Sequence, residues 1–294
     1  MKEEEILFES LKNDSEKLSF FTRRFPYYAD VLSKLLLGRD TTDATDEELE
    51  LSYHEITSEL FELFTSAGDP FSGAMLASEK ALLAAETVKA LTERATIKSF
   101  LLSLDAQEGK CVYFRNAYSD EAFRAFSPYL LHPTASYTDT PSSACREVYN
   151  ELATFAILPI SSSKEGMIGG IARAVSRYEL ALTLTADVTL SGKDETMTMG
   201  LFAQTPIAIK DAEYLEAVLF CDDPATLTSL LLSADHLDCP VVSLETLTDT
   251  ESFRCAYRIT FTKKEKASLF ALWLLLRCEY PHHRLCALWR KIKK

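Results

Sequence analysis

The feature that most constrains this chain is a short apolar run followed by a polar turn and a helical pattern. Thr154–Ile160 is almost continuously apolar, which is typical of a buried strand in an α/β sheet. Ser161–Ser163 come next, and apolar residues then recur at helical spacing from Met167 to Tyr178. Serine hydroxyls and free N–H groups at a helix N-terminus can bind a carboxylate or phosphate, or the serines can simply cap the helix.

The composition is that of an ordinary globular chain with an acidic balance. It has 294 residues, 47% hydrophobic and 26% charged, which is enough for two or three domains. The net charge of −13 argues against nucleic acid or an anionic membrane as partner, because both require a cationic surface. An anionic ligand would have to be held by local donors.

The cysteines and apolar segments indicate a cytoplasmic protein. The seven cysteines include no C-x-x-C pair, so we expect free thiols, no metal site and no cofactor. The acidic start is not typical of a signal peptide. Ala267–Leu276, the most apolar helical segment, is much shorter than the ~20 residues that span a bilayer.

Periodicity predicts three domains. Residues 1–105 are predicted to form helices, and Asp46–Phe64 carries one apolar stripe. These helices form a domain of their own or pack against the later segments of the chain. Residues 106–210 read as a single α/β lobe. Its predicted elements are strand Cys111–Phe114, helix Asp120–Phe126, a loop at Leu131–Ser143, helix Ala144–Leu152, strand Thr154–Ile160, helix Met167–Tyr178, and strands Ala181–Leu190 and Thr196–Gln204 joined by a hairpin at Ser191–Asp194.

Residues 211–294 give the order βαββαβ, a ferredoxin-like arrangement. The predicted elements are strand Tyr214–Cys221, helix Pro224–His236, strands Val241–Leu247 and Phe253–Thr262, helix Lys263–Tyr280 and strand Arg284–Trp289, followed by a basic tail read as solvated. The predicted fold class is therefore mixed α/β or α+β.

These elements resemble those of prephenate dehydratase. Tyr113–Asp120 resembles that family's YQG…AYSE turn, and Pro159–Ser163 with Gly166 stands where the family has PIENS followed by a glycine. Glu195–Phe202 stands where a Thr-Arg-Phe strand closes the lobe. The resemblance implies a catalytic role for Thr198 and substrate contacts from Ser119, Ser161, Ser162 and Ser163.

The chain departs from that pattern at two points. Met199 replaces the arginine, and the Ser191–Asp194 turn stands where the family inserts its second lobe. The reaction handles a dicarboxylate, and loss of one such donor commonly costs ~3 kcal/mol of transition-state stabilisation. Arg115, Lys164, Arg173 and Lys193 are candidate substitute cations, although each is more simply explained as a surface charge.

The last segment resembles the ACT domain that senses phenylalanine in the same family. The family's Gly-Ala-Leu motif after a proline corresponds to Pro224, Ala225, Thr226 and Leu227, and its Glu-Ser-Arg-Pro motif begins at Glu245 and Thr246. The resemblance implies either an effector site at these residues or a purely structural pairing role for the domain, and a homodimer formed through it. Asp222 and Asp223 would repel a ligand carboxylate there.

The sequence supports three hypotheses for the function. The first is a catalytically degenerate, regulatory or ligand-binding relative that binds an aromatic acid or amino acid in phenylalanine metabolism. The second is an active prephenate dehydratase, a carbon–oxygen lyase, with a substituted cation. The third is an assembly scaffold. The chorismate mutase that precedes the dehydratase in fused relatives is not expected, because no Lys or Arg lies between Arg39 and Lys80.

Overall fold

The computed structural model describes residues 15, 25–37, 39, 41, 44–65, 77–94, 103–209, 211–247, 255–264 and 268–292. The chain forms two compact units: the first comprises Met1–Ser99 with Leu219–His283, and the second Phe100–Val218 with Arg284–Lys294. The mixed α/β class predicted from the sequence is confirmed. The division into 1–105, 106–210 and 211–294 stays a prediction.

The helices and strands are numbered in chain order. The helices are α1 (Phe25–Leu37), α2 (Asp46–Thr65), α3 (Ala77–Arg94), α4 (Ala117–Phe126), α5 (Pro141–Tyr149), α6 (Gly169–Arg177), α7 (Ala225–His236) and α8 (Leu269–Glu279). The strands are β1 (Glu108–Phe114), β2 (Leu131–Thr138), β3 (Phe155–Ser162), β4 (Gly166–Met167), β5 (Ala181–Thr189), β6 (Thr196–Ala203), β7 (Tyr214–Cys221), β8 (Val241–Leu247), β9 (Cys255–Thr262) and β10 (His283–Ile292).

The second unit is a sheet with helices on both faces. Its strand order is β2-β1-β3-β6-β5-β10-β7, with β4 paired to β3 outside this path. β1 is parallel to β2 and β3, whereas β6 is antiparallel to β3 and β5, and β10 is parallel to β5. The predicted hairpin between β5 and β6 is confirmed, with Gly192 at φ 77° in its turn.

Each face of this sheet has its own apolar core. On one face Phe126 of α4 belongs to a cluster with Leu184, Met199 and Leu201. On the other face Val148 of α5 belongs to a cluster with α6 and with residues of β1, β3 and β6. Since side chains alternate along a strand, the residues between those of the first cluster project away from α4.

The first unit joins the N-terminal helices to the C-terminal ones. α3 packs against α7 and α8, and α2 packs against α8. Every residue of α8 from Ala271 to Leu276 is buried, as expected of a helix that is apolar on all sides. The predicted alternative in which the N-terminal helices pack against later segments of the chain is confirmed.

The predicted βαββαβ order is confirmed. β7 passes from the second unit into the first at Val218–Leu219, and the strand order there is β7-β9-β8. β8 and β9 are antiparallel. β10, which neighbours β7 in the second unit, completes the ferredoxin-like segment.

Two predictions of irregular structure are wrong. The loop predicted at Leu131–Ser143 contains β2 and the start of α5. β2 is an edge strand exposed on both faces, and Pro133 with the neighbouring Ser and Thr residues gives it the composition of a loop. The tail predicted to be solvated continues β10 as far as Ile292.

Candidate functional site

A row of polar side chains crosses four neighbouring strands of the second unit. Ser161 on β3 lies opposite Thr198 on β6, and Thr198 lies opposite Asp187 on β5. Lys291 on β10 forms an ion pair with Asp187. We call Ser161, Thr198, Asp187 and Lys291 the polar row.

The strand register explains why these residues meet. Directly opposed residues of antiparallel strands project from the same face, so Ser161, Thr198 and Asp187 share one face. Lys291 lies opposite Thr185, and Thr185 is on the same face as Asp187 because the two are two residues apart.

The charges of the polar row are compensated internally. The Thr198 hydroxyl donates to Asp187 Oδ1 over 2.9 Å, and Lys291 Nζ lies 2.6 Å from Asp187 Oδ2. The side chains of Lys291 and Asp187 are 46% and 40% exposed. An ion pair this exposed contributes only about 0–1 kcal/mol, so a ligand can replace one partner at small cost. The row thus offers a carboxylate, an ammonium group and a hydroxyl lone pair.

Met199 contributes nothing to this row. Its side chain is 1% exposed and belongs to the apolar cluster on the α4 face, whereas Thr198 projects from the opposite face. The position that corresponds to the family's arginine is therefore an apolar core position in this chain.

Ser162, the last residue of β3, and Ser163 stabilise the turn that follows the strand. Ser162 Oγ donates to Glu195 Oε1 over 2.5 Å and accepts from the Lys164 N–H over 3.1 Å. Ser163 Oγ accepts from the Thr196 N–H over 3.0 Å. The sequence predicts a helix that starts at Met167, but β4 intervenes and α6 begins at Gly169 with Ile168 as N-cap. The alternative in which the serines cap this helix is therefore wrong.

Ser119 lies apart from the polar row. It is 2% exposed in the first turn of α4, where its N–H donates to Asn116 Oδ1 over 2.9 Å. α4 packs on the sheet face opposite Thr198. Of the predicted substrate-binding residues, the structure therefore brings Ser161 next to Thr198 and places Ser119 on the other face.

The four cations proposed from the sequence lie at the surface or on aromatic rings. Lys164 and Arg173 are exposed. Arg115 Cζ lies 4.8 Å from the centroid of the Tyr137 ring, and Lys193 Nζ lies 5.3 Å from that of Tyr118. The cation that reaches Thr198, through Asp187, is Lys291.

The predicted effector residues lie in the first unit. Pro224 precedes α7, whose first turn contains Ala225, Thr226 and Leu227, and Asp223 Oδ1 accepts from the Ala225 N–H over 2.9 Å. Glu245 and Thr246 are exposed on β8, with Glu245 opposite Arg258 on β9. A carboxylate already occupies the start of α7, which disfavours a ligand carboxylate there.

The cysteines are free thiols, and burial makes several of them unreactive. All seven are free. Burial raises the pKa of Cys111 to about 12 and that of Cys145 to about 11. Within the described ranges, no group of three His, Cys, Asp or Glu side chains is placed to hold a metal ion. Among the described helices, none combines the length and apolar character needed to cross a bilayer.

Asp187 and Lys291 are candidate site residues that were not predicted from the sequence. Asp187 is the single charge in the strand Ala181–Thr189, which is unusual because aspartate is depleted in strands. That signal was available. Lys291 gave no comparable signal, since only the parallel pairing of β10 with β5 brings it to residue 187.

Comparisons with known proteins found likeness only among solved structures. No family model and no curated protein matches the chain. Prephenate dehydratase from Streptococcus mutans matches at 16% identity and TM-score 0.46, over 63% of this chain and 99% of that one. Prephenate dehydratase in complex with L-Phe from Arthrobacter aurescens matches at 12% identity and TM-score 0.44, over 61% of this chain and 89% of that one.

A third structure, of GqqA, described as a novel type of quorum quenching acylase, matches at 16% identity and TM-score 0.42. The match covers 61% of this chain and 93% of the GqqA chain. These values assign neither an activity nor a ligand to this chain.

Proposed function

We propose that this protein is a catalytically degenerate relative of prephenate dehydratase that binds an aromatic amino acid at the polar row and serves a regulatory role in aromatic amino-acid metabolism. The observation that carries the proposal is the paired charge of Asp187 and Lys291 beside Thr198. One anion and one cation at adjacent positions match the ammonium and carboxylate of a zwitterion.

The same pairing disfavours a dicarboxylate. Prephenate carries two carboxylates, and the Asp187 carboxylate would repel them. The same Asp187 carboxylate neutralises Lys291, the cation that would otherwise attract them. With Met199 in the core, the row lacks the bidentate donor that the family pattern supplies. Water also reaches the row, because both charged side chains are partly exposed.

The binding test uses L-phenylalanine, chosen from the sequence resemblance, in a calorimetric titration. We expect Lys291→Gln and Thr198→Ala to weaken binding at least fivefold, since each removes a group that the ligand contacts. The matched control is Arg290→Gln, which changes a neighbouring charge on the opposite face of the sheet. Unchanged binding in both polar-row variants would refute the site.

The activity test follows phenylpyruvate formation from prephenate. We expect no turnover above the spontaneous rate. Turnover by the wild-type protein that disappears in Thr198→Ala and in Lys291→Gln would establish the alternative, an active dehydratase in which Lys291 is the substituted cation.

Three further proposals concern a second ligand site, the oligomeric state and the location. The effector site at residues 224–227, 245 and 246 is proposed as a second amino-acid site. A Leu227→Ala variant that loses binding there but keeps its binding at the polar row would separate the two sites.

A homodimer through the βαββαβ segment is supported by the exposed Val242 and Leu244 of β8. Seven free thiols, four of them buried, support a cytoplasmic location. If neither site binds an amino acid, the scaffold role remains.

A further inference from the structure

The second unit contains a cavity away from the polar row. Its volume is about 280 Å³, close to the lower end of the ~300–1,000 Å³ usual for ligand pockets, so it suits a small molecule. Leu104, Pro128, Leu131 and Ile209 form apolar walls. Arg290 of β10 and Tyr129, just after α4, complete one side.

Arg290 is the cationic group of this cavity. Its Cζ lies 5.0 Å from the centroid of the Tyr129 ring, which holds the guanidinium over the ring face. Within the part of the chain that the structure describes, Arg290 contacts no carboxylate at ion-pair distance. Because this half-buried guanidinium pairs with no carboxylate of the described residues, its hydrogen-bond donors can bind an incoming anion.

The strand register separates Arg290 from the polar row. Arg290 lies opposite Leu184, which belongs to the cluster on the α4 face, whereas Lys291 lies opposite Thr185 on the other face. The side chains of these two consecutive residues of β10 therefore project from opposite faces of the sheet. The cavity and the polar row can be altered independently by substituting one residue or the other.

The remaining polar groups of the cavity limit the charge of the ligand. Ser103 Oγ donates to Asp105 Oδ1, and both residues line the cavity. A second negative charge on the ligand would be repelled by Asp105. One guanidinium, one carboxylate and apolar walls select a ligand with a single carboxylate and a compact apolar body.

We infer that this cavity is a binding site for a small monocarboxylic acid with an apolar body, whose carboxylate pairs with Arg290. The body packs against Leu104 and Ile209. This site is separate from the amino-acid site proposed at the polar row and does not depend on it.

The test compares phenylacetate with phenylacetamide, a neutral molecule with the same body, by NMR titration of the full-length protein. We expect the acid to bind at least tenfold more tightly than the amide, because only the acid pairs with the guanidinium. Arg290→Gln should abolish this preference. Arg290→Lys should restore part of it, since lysine supplies the charge without the planar fork.

Two further variants locate the site. Ile209→Trp fills the cavity and should abolish binding of both probes. The matched control is Arg146→Gln, which changes an exposed arginine of α5 on the other face of the sheet and should leave both affinities unchanged. Circular dichroism and thermal unfolding verify that each variant is folded. Three outcomes would each overturn the inference. The first is equal binding of acid and amide, and the second is no binding of phenylacetate up to ~20 mM, a concentration well above the Kd expected for so small a ligand. The third is loss of the preference in Lys291→Gln but not in Arg290→Gln.

Discussion

Ser233 on α7 and Ala81 on α3 are joined by a buried hydrogen bond, in which the Ser233 hydroxyl donates to the Ala81 carbonyl oxygen over 2.9 Å. Ser233 is 0% exposed. Near this bond, His236 of α7 contacts the carboxylate of Glu86 on α3. The N-terminal helix is therefore attached to the βαββαβ segment by specific polar contacts in addition to apolar packing.

The Glu86–His236 contact predicts a pH-dependent stability. Burial alone raises the pKa of Glu86, but the hydrogen bond and charge of His236, together with Lys89, lower it by more, so the net pKa lies below the ordinary 4.5. A carboxyl whose pKa is lowered by folding stabilises the folded state fully above its unfolded pKa, and this contribution is lost as the pH falls through the folded value. We expect Glu86→Gln to lower the free energy of unfolding at pH 7 and at pH 5.5, with a smaller difference from wild type at pH 3.5.

Urea denaturation at the three pH values measures this difference. The same substitution at Glu93, exposed on α3, serves as the control and should have little effect at any pH. A Glu86→Gln difference that is constant from pH 7 to pH 3.5 would show that the loss comes from packing and not from ionisation.

Met199→Arg should destabilise the protein without creating a dehydratase. The side chain is 1% exposed among Phe155, Leu184 and Leu201, so a guanidinium there would be buried without a partner. An uncompensated buried charge costs ~3–5 kcal/mol of unfolding free energy. Met199→Leu conserves the volume and should cost less than about 1.5 kcal/mol. Recovery of phenylpyruvate formation by a stably folded Met199→Arg variant would contradict the assignment of this position to the core.

Gly109→Ala should destabilise the pairing of β1 with β2. An added Cβ would lie 2.8 Å from Pro133 Cα and 2.9 Å from Leu130 Cβ, so backbone atoms would have to move. We expect a loss of ~1–3 kcal/mol in unfolding free energy, as for other overpacked sites. Gly170→Ala is the control, because a Cβ there meets no atom within 4 Å. Equal stability of the two variants would mean that β2 can separate from β1 without cost.

Composition and flanking turns separate the strands that the sequence predicted well from the one that it missed. β7 and β8 have the predicted bounds, because apolar residues bounded by turn residues are typical of strands. β2 was missed because Pro133 and several Ser and Thr residues are typical of a loop, although Leu131, Ala135 and Tyr137 alternate with polar residues. The attachment of α3 to α7 could not be derived, since Ser233 and Ala81 are far apart in sequence and their bond depends on tertiary packing.

In the candidate site too, some residues could be predicted from the sequence and others could not. Thr198 and Ser161 could be found because the resemblance aligned a local motif around each of them. Lys291 could not, because a lysine near the end of a chain is most often solvated, and only the pairing of β10 with β5 brings it to Asp187. Residues recruited from distant strands are determined by sheet topology, which local patterns do not specify.

The exposed strand β8 predicts the mode of self-association. It ends the strand order of the first unit and exposes Val242 by 57% and Leu244 by 45%. An unpaired edge with exposed apolar side chains favours pairing with a second chain, and lysine on an edge strand opposes it. We expect a wild-type homodimer and a monomeric Val242→Lys/Leu244→Lys variant by size-exclusion chromatography with light scattering. The control, Leu131→Lys/Tyr137→Lys, changes exposed residues of the edge strand β2 in the second unit and should remain dimeric. A wild-type monomer at all concentrations, or dissociation by the β2 variant instead, would exclude pairing through β8.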